Sequence, residues 1–284
     1  DGQPVDAVAD FAQNIPIEVI GNLLAIPRAE RDPLRDWSLA ILGALEPEIN
    51  DAQFDAGETA VRDFLAYLQA LVARRRAEGV ENAGDIMARL IRETGAAGED
   101  ANLLPHELLQ NCIFILNAGH ETTTNLIGNA MLVLLNDDAL MNRLRNNPDD
   151  IPAMVEEALR WDPPIQCTFR RATQDDNIEG VDVKTGDMVI PMWAGANWDP
   201  EVFPNPEQFD IDRPTTKPHM GFGFGPHFCA GAELARLETK IAFEELLGRL
   251  GDIKLDESES DLSHLPSFAS HGYQKIGLSF TRID

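Results

Sequence analysis

Apolar residues recur at helical spacing through the first half of the chain. Over residues 6–24 they fall at Val8, Phe11, Ile15, Val19, Ile20 and Leu23, the stripe of an amphipathic helix. Pro16 interrupts that stripe. A proline inside a helix removes one hydrogen bond and clashes with the preceding turn, so the pattern predicts two short helices with a break before Pro16. Ile26-Pro27-Arg28-Ala29-Glu30-Arg31 reads as a turn into a helix through Trp37, Leu39 and Leu42. Residues 52–78 form a long amphipathic helix with its stripe at Val61, Phe64, Leu65, Leu68, Leu71 and Val72. Its end is marked by Arg74-Arg75-Arg76 before Gly79, cations at the negative end of the helix dipole. Residues 95–102 read as a loop.

A second long helix is predicted from about Pro105 to Leu135, with proline in its first turn as a start signal. At 1.5 Å per residue it would run ~45 Å, enough to cross a domain. Leu109, Cys112, Ile113, Leu116, Ile127, Met131 and Leu134 make it apolar enough to be central. Its middle breaks the pattern with Ala118-Gly119-His120-Glu121-Thr122-Thr123-Thr124-Asn125. Small and polar residues midway along a buried helix cost stability through propensity and desolvation. A polar kink is one explanation. A functional site is the other, since local rules are broken most often where function demands it.

The second half changes character. Residues 151–161 form a helix carrying Glu157-Ala158-Leu159-Arg160, stopped by Pro163-Pro164. The i,i+3 spacing puts Glu157 and Arg160 on one face. Residues 169–192 turn strand-like, with turn signals at Glu179-Gly180 and Thr185-Gly186-Asp187. Residues 191–213 are rich in proline and aromatics without regular periodicity, and so long an irregular segment is usually ordered around a function. A helix follows to about Leu250, then an acidic surface turn over 256–261 and a terminal hairpin over 268–280.

Composition narrows the function. The 284 residues carry a net charge of -25, which argues against binding a nucleic-acid backbone or an anionic membrane. No apolar run is long enough to span a bilayer, and no signal peptide is visible. Three widely spaced cysteines, Cys112, Cys167 and Cys229, do not describe a disulfide framework, and they suit a reducing, cytoplasmic setting.

One cysteine stands out. Phe222-Gly223-Phe224-Gly225-Pro226-His227-Phe228-Cys229-Ala230-Gly231 is a glycine-punctuated loop that delivers Cys229 to the start of a helix. Unpaired backbone N–H groups and the dipole favour a thiolate there, ready to bind a metal or act as a nucleophile. A buried cysteine in a tight turn is the plain alternative. A zinc or cysteine-turn site built on Cys229, His227 and His219 lacks a fourth ligand and is poor zinc chemistry.

Four motifs in order carry a resemblance to the cytochrome P-450 family of haem-thiolate monooxygenases. They are Ala118-Gly119-His120-Glu121-Thr122-Thr123, Glu157-Ala158-Leu159-Arg160, Pro204-Asn205-Pro206-Glu207-Gln208-Phe209 and the Cys229 loop. Glu121-Thr122-Thr123 and Asn197-Trp198-Asp199-Pro200-Glu201-Val202-Phe203 are similar to the soluble bacterial branch. The resemblance spans essentially the whole chain. It implies a mainly α fold with small β-sheets, forming a single partial haem-thiolate domain over 1–284 that lacks the family's N-terminal region.

It also implies roles. Cys229 becomes the axial ligand of haem b iron, a thiolate whose donation favours O–O cleavage. His227 and Arg170 pair with the haem propionates. Phe222 and Gly223 belong to the cofactor loop, and Gly119 lets the distal helix lie close to the porphyrin. Glu121 and Thr122 become the distal acid–alcohol pair that relays protons. The Thr122 hydroxyl reaches the Ala118 carbonyl and opens a groove in the helix. Glu157 and Arg160 become a structural ion pair. Gln208 stands where the family usually has the arginine that completes this network, so the network is weaker or completed differently. The pocket implied is Phe114, Asn117, Ala118, Ile165, Gln166, Cys167 and Phe268, mostly apolar. The expected reaction is insertion of one oxygen atom from O2 into a hydrophobic small molecule. The resemblance implies electrons from a ferredoxin-type donor with its reductase, and no flavin or dinucleotide motif in the chain would let it reduce itself. A peroxide-driven or non-oxygenating member, or a catalytically silent truncated fragment, are the alternatives.

Overall fold

The computed structural model describes residues 5–94, 102–214 and 218–283. The loop expected over 95–102 lies outside them apart from Asn102. The residues fall into two compact units, one of Ala9–Thr124 and one of Asp1–Val8 with Asn125–Asp284.

The Ala9–Thr124 unit is helical. A π-helical stretch, Ala7–Ala12, leads into helix α1, Asn14–Leu23. The break falls at Gln13 and not immediately before Pro16. Pro16 occupies the first turn of α1, where a backbone N–H has no helical partner to lose. Helix α2 is Pro33–Gly43 and α3 is Asp51–Glu78. A reciprocal cap starts α3: Gln53 N–H donates to Asn50 Oδ1 (2.9 Å) and Asn50 N–H to Gln53 Oε1 (3.0 Å). Helix α4, Ile86–Arg92, was not foreseen, because seven residues are too few to display a period. Helix α5 is Pro105–Leu135, and its residues up to Thr124 belong to this unit. The core packs Phe64, Leu68 and Leu71 of α3 with Leu24, Leu34, Met87, Leu108, Cys112 and Leu116. Burying each of these larger side chains contributes ~1.5–3 kcal/mol. Trp37 stacks on Phe64 with ring centroids 5.0 Å apart.

The other unit holds the end of α5, then α6 (Asp138–Asn146), α7 (Ile151–Trp161), α8 (Trp193–Asn197) and α9 (Ala232–Arg249). Helices α7 and α9 pack together. Among the described residues, four small antiparallel sheets accompany them. Strands β1 (Val5–Asp6), β9 (Gly277–Arg282) and β6 (Leu250–Leu255) form one sheet in that order, with Val5 opposite Leu278. Strand β2 (Arg170–Arg171) pairs with β5 (Met188–Val189), and β3 (Asp176–Ile178) with β4 (Val181–Val183). Strand β7 (Asp261–His264) pairs with β8 (Tyr273–Lys275).

The terminal hairpin expected over 268–280 does not form. β8 and β9 join different sheets, and only Ile276 separates them, too little for a hairpin turn. Ile276 spends its backbone groups on the N-terminal segment instead, donating to Asp6 Oδ1 (3.1 Å) and accepting from Ala7 N–H (2.8 Å). The irregular segment over 191–213 is real, broken only by the single turn-and-a-half of α8.

Candidate functional site

The loop before α9 is built from the residues read in the sequence. Gly223 and Gly225 have φ of 71° and 75°, in the left-handed region, with open space where a Cβ would stand. The demand for glycine there is conformational, not steric. Gly223 N–H donates to Met220 O (2.8 Å) and Phe228 N–H to Gly225 O (3.0 Å). Cys229 N–H donates to Phe222 O (3.0 Å), which closes the loop and sets the cysteine three residues before the start of α9. Cys229 is half-buried, whereas Cys112 and Cys167 are buried. Burial pushes the Cys112 thiol up to about 12 and raises that of Cys167, which disfavours the thiolate at both. Beside Cys229, Phe224 and Phe228 leave 73% and 50% of their surface exposed.

Arg170 and His227 lie in the same unit and are both exposed. The Arg170 guanidinium folds back on its own strand, donating to Phe169 O (2.8 Å) and Thr168 Oγ1 (3.4 Å). Among the described residues neither side chain is paired with a protein carboxylate.

Glu157 and Arg160 are at the centre of a buried network, at 4% and 3% side-chain exposure. Arg160 grips Glu157 through two bonds of 2.8 Å. The network is completed by Arg213, a residue the sequence reading passed over. Its Nε donates to Glu157 Oε1 (3.1 Å), and its terminal nitrogens bind the carbonyls of Pro204 (2.5 Å), Asn205 (3.2 Å) and Gln208 (2.7 Å). The third member is thus an arginine five residues past Gln208. Gln208 contributes its backbone carbonyl, which also accepts from Arg160 (3.1 Å). Little in the sequence signalled it, since Arg213 stands beside Asp210 and Asp212, and only the fold shows Asp212 binding Arg143 instead.

Ile165, Gln166 and Phe268 are brought together with the loop after β7. Ile165 bridges Ser270, Gln166 N–H donates to Ala269 O (2.8 Å), and His271 N–H donates to Pro164 O (2.8 Å). Phe268 stacks on Phe169 with centroids 5.7 Å apart. The Gln166 side chain turns back to Pro163 O (2.7 Å), and Cys167 is 1% exposed, so these two present no free side chain beside Phe268.

In the Ala9–Thr124 unit the broken stretch of α5 divides by face. Cys112, Leu116 and His120 make the buried stripe, while Phe114, Ala118 and Thr122 lie four apart on a more exposed one. Glu121 is half-buried beside Thr122. Thr122 Oγ1 donates to Ala118 O (2.8 Å), the bond its spacing allows, and Thr124 Oγ1 does the same to His120 O (3.0 Å). Helix α5 is assigned as one α-helix through the stretch. Gly119 has a packing reason of its own: a Cβ there would stand 2.6 Å from Ile20 Cδ1 of α1. His120 is buried with neither ring nitrogen hydrogen-bonded among the described residues, and burial, with Arg35 nearby, holds it down at about 4. Asn117 uses its amide on Ile113 O (2.9 Å).

A family profile described as Cytochrome P450 matches residues 49–268. The chain belongs to the cytochrome P450 family. It is 33% identical over 276 residues to the biotin biosynthesis cytochrome P450 of Bacillus subtilis, covering 97% of this chain and 67% of that one. It is 38% identical over 263 residues to mycinamicin IV hydroxylase/epoxidase of Micromonospora griseorubida, covering 92% and 63%. Among solved structures, P450BioI in complex with hexadec-9Z-enoic acid ligated acyl carrier protein superposes with a TM-score of 0.88 at 33% identity, covering 98% of this chain and 69% of that one. The chain spans about two thirds of the length of the curated relatives it matches.

Cytochromes P450 bind haem b, and this chain's residues fit that group. A half-buried thiol near a helix start suits the iron, and exposed Phe224 and Phe228 suit an apolar macrocycle. Two cationic or donor side chains without acidic partners, Arg170 and His227, suit the propionates.

Proposed function

We propose that this P450 chain is the larger part of a haem-thiolate monooxygenase, acting as one partial domain over 1–284. It inserts one oxygen atom from O2 into a hydrophobic organic molecule at carbon. The observation that carries this reading is Cys229, the single partly accessible cysteine, presented by a positive-φ glycine loop ahead of α9. Haem b, when bound, supplies the redox iron at which oxygen is activated.

The chain's own residues do the rest. Cys229 is the iron ligand. Arg170 and His227 hold the propionates, and Phe222, Gly223 and Gly119 shape the cofactor's surroundings. Thr122 holds a proton at Oγ1 and Glu121 passes protons to it from outside. Phe114, Asn117 and Ala118 of one unit and Ile165 and Phe268 of the other are the residues assigned to meet substrate; Gln166 and Cys167 offer it no free side chain. Exposed Phe114 and Phe268, at 68% and 54%, supply the apolar contact that favours a hydrophobic substrate. Electrons arrive from a ferredoxin-type protein and its reductase. No helix among the described residues is long and apolar enough to cross a membrane, in keeping with a cytoplasmic site of action.

The test is optical. The purified protein is reconstituted with haem, reduced and exposed to carbon monoxide. A red-shifted Soret band, the mark of thiolate ligation, is the expected result. Protein that carries haem without that band overturns the assignment of Cys229, and a chain that takes up no haem overturns the reading for these 284 residues.

A further inference from the structure

The ion pair Glu157–Arg160 faces the irregular segment. The residue before it, Glu156, lies about 100° further round α7 and binds residues on either side of the cysteine loop, His219 and Arg236. Glu156 receives both Nε (2.6 Å) and Nη2 (3.1 Å) of Arg236 on α9. This is a two-bond grip with geometric as well as electrostatic content. The same carboxylate lies 3.2 Å from His219 Nε2. His219 Nδ1 accepts the N–H of Gly221 (3.0 Å), so the ring has its proton on Nε2 and donates it to Glu156. Burial would raise the Glu156 carboxyl, but the bonds from His219 and Arg236 outweigh that and hold it at about 2.

Both partners of Glu156 then close on one ring. The Arg236 guanidinium carbon lies 4.7 Å from the centroid of Phe222, within cation–π range, and the His219 ring lies 5.8 Å from it. Phe222 is the residue whose carbonyl accepts the Cys229 N–H. The chain before the loop packs closely on α7, since a Cβ on Gly221 would stand 2.7 Å from Leu159 O. Arg236 has a second acidic partner, Glu233, but Glu233 is 90% exposed and i,i+3 on the same helix, so that pair adds little.

We propose that Glu156 is a positioning residue for the cysteine: it clamps Arg236 and His219 on Phe222 and so fixes the carbonyl that orients Cys229. The proposal rests on Cys229 being the iron ligand only for its consequence in the loaded protein. The clamp itself is a property of the protein chain. Its loss lets Phe222 and the Cys229 backbone wander, which weakens the thiolate bond to iron and frees the thiol in the haem-free state.

The experiment uses the whole chain with Glu156→Gln, Arg236→Gln, the double variant and Glu233→Gln as the control. In the reduced, carbon monoxide-bound protein, each clamp variant is expected to lower the share of the red-shifted Soret band. The double variant is expected to be no worse than the worse single one, because both act through one contact. Glu156→Asp recovers part of the band, and Glu233→Gln leaves it unchanged. In the haem-free chain, the rate of Cys229 alkylation is expected to rise about threefold or more in the clamp variants. Unchanged alkylation and an unchanged band overturn the proposal, as does a double variant whose losses add. If the parent protein holds haem without the red-shifted band, the functional reading falls and the alkylation rates alone decide the clamp. If Glu156→Gln fails to fold, Arg236→Lys, which keeps the charge and drops the two-bond grip, decides it by the same measurements.

Discussion

Arg213 Nε lies 3.1 Å from Glu157 Oε1, with the two side chains 6% and 4% exposed. That bond makes the network under the irregular segment a three-membered one, and it moves the missing arginine from position 208 to position 213. Removing one member of a buried charged network strands the others without compensation, a loss of about 3–5 kcal/mol. Arg213→Ala is therefore expected to lower the urea midpoint by the corresponding amount. Gln208→Arg is expected to leave it unchanged, because Gln208 is exposed and its working atom is the carbonyl. A stabilising Gln208→Arg would show that the network lacks a charge at 208 after all.

Legibility in the sequence followed period and length. Helices α3 and α5 were readable to within a residue or so because a stripe repeated over 28 and 31 residues leaves little doubt about period or ends. Helix α4 and the pairing of β8 and β9 were not, since short elements are chosen by tertiary partners that a local pattern does not contain. The same division runs through the site. Glycines at 223 and 225 announced positive φ from sequence alone. Gly119 also has a packing neighbour, Ile20, that only the fold shows. Arg213 and Glu156 were invisible, being ordinary charged residues whose partners are 56 and 80 positions away.

Glu238 on α9 gives a pH-dependent prediction. It is 6% exposed, its Oε2 has no hydrogen-bond partner among the described residues, and burial pushes its carboxyl up to about 7. The folded state thus holds this proton more tightly than the unfolded chain does. The resulting stability is fully present below the ordinary value of 4.5 and is lost as pH rises through about 7. Across that window the loss amounts to at most about 3 kcal/mol. Glu238→Gln, which cannot ionise, is expected to flatten the decline in denaturation midpoint between pH 5 and 8 relative to the parent. Parallel pH profiles for parent and variant would refute this.

His271 predicts the opposite partner for a similar slope. Its Nδ1 lies 2.6 Å from Asp162 Oδ1, and the bond to Asp162 raises its value above 6.5 against the effect of burial. The pair ties the loop carrying Phe268 to the loop carrying Ile165. Stability from the bond is fully present below pH 6.5 and lost as pH rises through the raised value. Amide exchange at Gln166 and His271, whose N–H groups join the two loops, is expected to accelerate over that window beyond the ordinary base-catalysed trend. His264 and Tyr273 also face the ring, at 3.9 and 6.3 Å between centroids, so the control is His271→Gln, in which the extra acceleration disappears. Its persistence in the variant would remove the Asp162–His271 pair as the cause.

Thr122 tests the proton-handling half of the proposed reaction. Its hydroxyl donates to Ala118 O at 2.8 Å on the more exposed face of α5, and the helix continues unbroken through it. A threonine bonded to the carbonyl four residues back contributes little to helix stability, so Thr122→Ala is expected to change the denaturation midpoint negligibly. Its chemical effect is expected to be large. Without the hydroxyl no proton is held at that position, and electrons drawn from the redox partner no longer end in product. Electron consumption is expected to continue while product per electron pair falls by about a hundredfold or more, the scale of a lost general-acid contribution. Thr122→Ser, which restores the hydroxyl and its bond to Ala118, recovers most of the yield. Equal coupling in Thr122→Ala and the parent would remove Thr122 from the proton path and leave Glu121 to act alone.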